Sequence, residues 1–115
     1  MKAILIILLT LMLPTAADAA GDIALGKAKA EQVCAACHAV GGDWNKPLQP
    51  DYPRLAGQHH DYLVTALTAY KRGDKSLIGR KNAVMAGMAG ALSPQDIENV
   101  AAYLSGLPGP LHVKR

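Results

Sequence analysis

The stretch Val33-Cys34-Ala35-Ala36-Cys37-His38 holds both cysteines of the chain, three positions apart, with a histidine directly after the second. A disulfide between them would close a tiny loop and constrain the unfolded chain very little. A redox-active pair would usually follow a strand, and no alternating apolar pattern precedes this one. A zinc site would need further ligands, for which His59 and His60 are the nearby candidates.

Attachment of a haem uses every residue of this motif. Two thiols one helical turn apart can each form a thioether bond with a vinyl group of one porphyrin, and the adjacent imidazole is then carried to the iron. The stretch therefore predicts one covalently bound haem c, with Cys34 and Cys37 as attachment sites and His38 as an iron ligand.

The composition agrees with a small domain built around a cofactor. The chain has 115 residues, of which 11 are glycine, 7 are proline and only 18% are charged, and it contains no phenylalanine. Such a chain forms one domain with a thin core, which a bound cofactor can complete. The net charge of +3 is mild and lacks a dense basic patch with stacking aromatics, so we expect no nucleic acid partner.

The first residues have the pattern of a secretory signal peptide. Met1-Lys2 is a short positive start, residues 3–13 are an apolar run, and Ala17-Asp18-Ala19 is a small-x-small cleavage pattern. The apolar run is much shorter than the roughly 20 residues that span a bilayer, which makes an uncleaved anchor the weaker alternative. We therefore expect a cleaved signal peptide over 1–19, a mature domain over 20–115 in the periplasm, and no stable membrane insertion.

Apolar periodicity predicts three helices in the mature chain. The first, over 23–38, has the cysteine motif at its C-terminal end, and the second, over 58–72, ends at Gly73. The third has Ser93-Pro94-Gln95-Asp96 as its capping sequence, and Gly106 ends it.

The remaining segments show no helical period. Residues 40–57 and 74–91 are rich in glycine or proline and are predicted to be loops, and the tail from about 108 is predicted to be loosely ordered. We expect the last helix to pack on the first. Gly26 would allow a close approach of the two helices, with Tyr103 filling the space.

The 74–91 segment also offers a second axial ligand. A haem that only exchanges electrons is best held with six ligands, and a thioether sulfur favours ferrous iron. Met85 and Met88 lie together among small residues just before the last helix. The alternatives are that both methionines only fill gaps in the core, or that His59 or His60 supplies the ligand.

Three separated motifs now resemble those of class I cytochromes c, specifically the bacterial periplasmic diheme four-type cytochromes c and their single-haem relatives. They are Cys34–His38, Tyr52–Gln58, and Met85–Met88 running into Leu92–Ile97 and Ala101–Tyr103. The resemblance covers nearly all of the mature chain. It implies an all-α fold of three to five helices, with long loops wrapped around one covalently bound haem.

The resemblance also implies roles for single residues. Cys34 and Cys37 would form the thioether bonds and His38 would be the proximal ligand. Because the family's methionine ligand lies seven residues before the apolar residue that precedes the capping serine, the distal ligand would be Met85, with Met88 as the second candidate. The proline whose carbonyl accepts the proximal imidazole N–H would be Pro50, five residues before a leucine.

Two features depart from the family pattern. The four-type proteins carry two haem domains, whereas this chain has one motif, so a second electron site would come from a partner or a dimer, and the oligomeric state stays open. The aromatic residue that many relatives place four positions before the first cysteine is Ala30 here.

The predicted function is periplasmic electron transfer through a haem ligated by histidine and methionine, with no catalysis by the protein itself. Basic residues beside the methionines would attract redox partners with acidic docking faces. The alternatives are a solvated loop without a docking role, a haem enzyme or gas sensor with a displaceable distal ligand, and a small electron-transfer subunit of a periplasmic dehydrogenase. The basic residues are Lys71, Arg72, Lys75, Arg80 and Lys81, with Asp74 as the one acid among them.

Overall fold

The computed structural model describes residues 21–112. The predicted signal peptide over 1–19 and the last three residues lie outside this range. Within it the chain is all-α, without strands, which confirms the predicted fold class. The helices are α1 (Ile23–Val33), α2 (Ala35–His38), α3 (His60–Arg72), α4 (Ala83–Gly90) and α5 (Pro94–Ser105).

Helices α1 and α5 form the main packing interface, as the sequence predicts. A Cβ on Gly26 would overlap the backbone carbonyl of Asn99 and lie 3.1 Å from the Cβ of Tyr103, so only glycine permits this approach. The buried Asn99 side chain accepts a hydrogen bond from the Asp22 backbone N–H at 2.7 Å. The two helices are therefore fixed at close range where α1 begins.

The first predicted helix is interrupted at the first cysteine. Cys34 has φ −105° and ψ −31°, so it ends α1 and begins α2. The helical path continues across it, because its N–H donates to Ala30 O at 2.8 Å and its carbonyl accepts from His38 N at 3.0 Å. The motif thus lies on one turn of a broken helix rather than at the end of a continuous one.

The segment predicted as a loop over 74–91 contains α4, so that prediction is wrong for residues 83–90. Asn82 caps the helix, since its side-chain oxygen accepts a hydrogen bond from Met85 N at 3.0 Å. The sequence AVMAGMAG has no amphipathic stripe from which a helix could be recognised. Packing against α3, together with the cap, makes the segment helical.

The last helix begins as its sequence predicts. Ser93 Oγ accepts from Asp96 N at 3.0 Å, and Asp96 Oδ2 accepts from Ser93 N at 2.9 Å, which completes a capping box ahead of α5. The hydrogen bond from the Ser93 backbone lowers the pKa of the Asp96 carboxyl. Lys29 of α1 lies 3.6 Å from the same carboxylate.

The 43–57 loop packs on α5 through one tryptophan. The buried Trp44 ring meets Tyr103 edge-on at 6.0 Å, and Gly57, with φ +74°, donates its N–H to Leu104 O at 2.9 Å. Part of the predicted loose tail contacts this loop: Asn45 Nδ2 donates to Pro108 O at 3.3 Å, and a Cβ on Gly57 would overlap His112.

Candidate haem site

One apolar cavity of about 310 Å³ brings together the five side chains that the sequence singles out, namely Cys34, Cys37, His38, Met85 and Met88. Cavities of about 300–1,000 Å³ with apolar walls and few polar groups typically hold cofactors. The apolar walls are supplied by α1, α3, α5 and the 51–58 loop through Val33, Leu55, Leu63, Ala66, Leu67, Val100 and Leu104.

His38 is oriented for metal binding. Its ring is buried, and Nδ1 lies 2.9 Å from the carbonyl oxygen of Pro53. Since a carbonyl oxygen can only accept, Nδ1 carries the hydrogen and Nε2 of the neutral ring keeps its lone pair. A hydrogen bond of this kind fixes the ring's tautomer and orientation and raises its basicity toward a metal.

The prediction that Pro50 supplies this carbonyl is wrong. Pro50 is exposed and occupies the second position of a turn that is closed by Tyr52 N donating to Gln49 O at 3.1 Å. Proline's fixed φ suits that position. The turn reverses the chain, so the carbonyl that reaches His38 belongs to Pro53. Pro53 lies within the motif Tyr52–Gln58, which is the sequence signal that could have indicated it.

No disulfide joins the two cysteines. Burial, and to a lesser extent the neighbouring Cys37, raises the pKa of the Cys34 thiol to about 11. Redox-active pairs have the opposite property, a lowered pKa that makes the thiolate available. This argues against a redox disulfide and leaves two thiols on the wall of the cavity, where a bound group can meet them.

The methionines lie one helical turn apart on α4 and both line the cavity. Met85 is partly buried, whereas Met88 is 46% exposed. The less exposed methionine is the one that the family spacing assigns to the iron.

The histidines considered as alternative ligands are not part of this cavity. His59 is exposed, and His60 lies between two carboxylates, with Nδ1 3.2 Å from Asp61 and Nε2 3.2 Å from Glu98. Within residues 21–112, no three His, Cys, Asp or Glu side chains lie close enough together to hold a metal ion. In the described range, therefore, no side-chain cluster matches the zinc site considered as an alternative, and neither His59 nor His60 lines the cavity.

Sequence reasoning missed the structural role of Arg80. Its guanidinium lies 5.4 Å from the ring centres of both Tyr62 and Tyr70, and it donates to the Tyr62 hydroxyl at 3.4 Å. All three side chains line the cavity. Arg80 is thus a fixed cation on the cavity wall rather than a mobile surface charge, and the two tyrosines on α3 were the only signal for it.

The other predicted basic residues divide into two groups. Lys71 forms hydrogen bonds within the protein, since its Nζ donates to the carbonyls of Gly90 at 3.0 Å and Leu92 at 2.6 Å. Arg72, Lys75 and Lys81 are exposed, and no ion pair involves them in the part of the chain that the structure describes.

A second depression, of about 430 Å³, lies between α3 and α5. Its lining includes Val64, Thr68 and Ile97 but neither cysteine, neither methionine nor His38. The chemistry of haem binding therefore belongs to the cavity lined by Cys34, Cys37 and His38.

The sequence model of the family described as "Cytochrome c" matches residues 23–108, which include every element from α1 to α5. The chain belongs to the cytochrome c family. Because its members hold haem through such motifs, this cytochrome carries covalently bound haem c with iron, and its single motif and short chain accommodate one haem. The described thiols, the oriented imidazole and the apolar walls fit that group.

This cytochrome is similar to four-type cytochromes c and to single-haem proteins. It is 43% identical over 112 residues to cytochrome c4 of Stutzerimonas stutzeri, covering 94% of this chain and 51% of that protein. It is 42% identical over 86 residues to cytochrome c-554(548) of Halomonas halodenitrificans, covering 75% of this chain and 96% of that protein. The chain thus spans about half the length of the cytochrome c4 proteins that it matches.

A solved structure and a further relative extend the comparison. The crystal structure of reduced recombinant cytochrome c4 from Pseudomonas stutzeri superimposes with a TM-score of 0.66 at 39% identity, covering 78% of this chain and 47% of that one. A protein of Thiomonas intermedia named "Thiosulfate dehydrogenase electron acceptor" is 40% identical over 83 residues, which are 68% of this chain and 35% of that protein. This cytochrome is accordingly a class I cytochrome c related to the c4 type.

None of the helices between residues 21 and 112 has the length and apolar character needed to cross a membrane.

Proposed function

We propose that this cytochrome is a periplasmic carrier of single electrons whose haem iron is ligated by His38 and Met85. The observation that carries the proposal is the placement of an oriented, buried imidazole and a partly buried thioether in one apolar cavity with both cysteines. When bound, the haem supplies a one-electron couple between ferrous and ferric iron.

The protein's residues would keep the iron coordination unchanged between the two oxidation states. Pro53 holds the His38 ring in one orientation through the 2.9 Å hydrogen bond. Asn82 fixes the N-terminal end of α4 by accepting from the backbone N–H of Met85 itself. A soft, neutral sulfur on the distal side favours ferrous iron and excludes oxygen.

Reaction partners would dock beside α4. The loop before this helix exposes Leu77 fully and Ile78 by 69%, and α4 itself exposes Val84 by 64%. The exposed cation Lys75 precedes Leu77 by two positions in the sequence. Such a surface fits an electron-transfer partner with an apolar contact and acidic rim, since opposite charges accelerate encounter and a small contact permits fast release.

Electron transfer to or from a dehydrogenase is one form of this function. The Thiomonas relative carries the name of a dehydrogenase electron acceptor. A dehydrogenase subunit and a free carrier would use the same haem site, so the proposal covers both. Export would depend on the predicted signal peptide over 1–19.

Substitution of each methionine in turn tests the ligand assignment. Met85→Ala should let carbon monoxide bind the ferrous iron and abolish the weak far-red charge-transfer band of the ferric methionine-ligated haem, because the distal position opens. Met88→Ala is the matched control on the same face of α4 and should leave both properties unchanged. The reverse result would make Met88 the ligand, and carbon monoxide binding by the unsubstituted protein would favour a haem enzyme or sensor.

A further inference from the structure

Helix α4 carries both methionines, yet its own sequence is a weak helix former. It has eight residues, two of them the glycines Gly87 and Gly90. Helices shorter than about 12–15 residues are marginal in isolation, and glycine in a helix weakens it further. The order of α4 must therefore come from contacts outside the helix.

One such contact is a lysine from the neighbouring helix. Lys71, near the end of α3, donates from Nζ to the carbonyl oxygens of Gly90 at 3.0 Å and Leu92 at 2.6 Å. The last carbonyls of a helix have no intrahelical partner and carry a partial negative charge. Gly90 is the last residue of α4, so its carbonyl is one of these, whereas Leu92 lies between α4 and the Ser93 cap of α5. Lys71 therefore caps α4 from another element and also binds the segment that follows it.

Cations next to Lys71 in the sequence serve as an internal comparison. Arg72 and Lys75 are exposed, as Lys71 is, but they make no side-chain hydrogen bond or ion pair in the described range 21–112. Asn82 holds the other end of α4 through Met85 N. The helix bearing the methionines is thus held at its start by its own cap and at its end by Lys71.

We propose that Lys71 is a positioning residue for the distal ligand, holding the C-terminal end of α4 so that the methionine sulfur stays on the iron. This inference rests on the proposed methionine ligation. A competing ligand binds only when the methionine leaves, which requires α4 to shift or fray. The apparent affinity of the competing ligand therefore scales with the fraction of molecules in which the methionine has left the iron, and the two Lys71 hydrogen bonds reduce that fraction.

Imidazole titration of the ferric holoprotein tests this role. Lys71→Met keeps the length of the side chain but removes its donors, and it should tighten imidazole binding about tenfold while weakening the far-red methionine band. Lys71→Arg has a guanidinium that can still donate to two carbonyls, so its imidazole affinity should lie within about threefold of that of the unsubstituted protein. Arg72→Met is the matched control, and its imidazole affinity should lie within about twofold of that of the unsubstituted protein.

Each of the other outcomes overturns the proposal. These are an unchanged imidazole affinity in Lys71→Met, an equal increase of imidazole affinity in Arg72→Met, and an imidazole affinity of Lys71→Arg as high as that of Lys71→Met. If Lys71→Met does not accumulate as folded holoprotein, Lys71→Gln, with a shorter neutral donor, should tighten binding about threefold, and unchanged binding refutes the role. An unsubstituted protein that lacks the methionine band would instead refute the ligation by methionine itself.

Discussion

Replacing Gly26 by alanine should destabilise the folded cytochrome because α1 and α5 meet there backbone to backbone. The new Cβ would overlap the carbonyl of Asn99, which belongs to α5 and cannot move aside as a flexible side chain would. Overpacking that forces backbone shifts costs about 1–3 kcal/mol, and an overlap with a helix backbone belongs at the upper end of that range. Alanine regains about 1 kcal/mol of helix propensity over glycine. We expect a net loss of about 2 kcal/mol in the free energy of unfolding.

Gly87→Ala on α4 is the matched control, since a Cβ there meets nothing within 4 Å. It should stabilise the protein by about 0.5–1 kcal/mol, because alanine has a higher helix propensity than glycine and lowers the conformational entropy of the unfolded chain. Denaturant unfolding of the holoproteins, followed by helical circular dichroism, measures both changes as shifts of the midpoint at constant slope. The close approach of α1 and α5 would be refuted if the free energy of unfolding of Gly26→Ala lay within about 0.5 kcal/mol of the unsubstituted value, instead of about 2 kcal/mol below it.

Three further predictions concern attachment, pH dependence and docking. Cys34→Ser should leave one thioether bond and shift the reduced alpha band to longer wavelength, whereas an unchanged spectrum would contradict attachment at this thiol. Asp96→Asn should lower stability by about 0.5 kcal/mol near neutral pH, because the amide can still accept from Ser93 N–H but lacks the negative charge that favours a helix N-terminus. Because the pKa of Asp96 is lowered in the folded state, its contribution is present above the unfolded value and lost as pH falls through the folded one. The deficit measured by denaturant unfolding should therefore shrink below about pH 4, and a deficit that persists in acid would contradict the ionic cap. Lys75→Glu should slow reduction by an acidic partner at low salt and not at high salt, while Lys27→Glu on α1 should have little effect; a salt-independent loss would argue against steering.

Local patterns in the sequence predicted those parts of the fold that local chemistry determines. The capping box at Ser93 and the C-terminal ends of α3 and α5 follow from a few adjacent residues, and the structure confirms them. The close contact at Gly26 was also predictable, because a glycine on an apolar helical face leaves room for a neighbouring helix to approach.

The wrong predictions concern parts of the fold that long-range contacts determine. Helix α4 has no amphipathic pattern, and its order depends on α3, which contributes Lys71 from 19 and 21 positions away from the two carbonyls. Family spacing assigned the His38 partner to Pro50, whereas the turn at 49–52 brings Pro53 to the imidazole. Residue type and offset could not reveal that turn's direction.

The absorption spectrum of the reduced mature protein, before and after carbon monoxide, tests the central claim most directly. A covalently bound haem with His38 and Met85 on the iron predicts a sharp, unsplit alpha band that carbon monoxide leaves unchanged. A large shift on adding carbon monoxide would mean that the distal position is accessible, and it would contradict the assignment of a closed electron carrier.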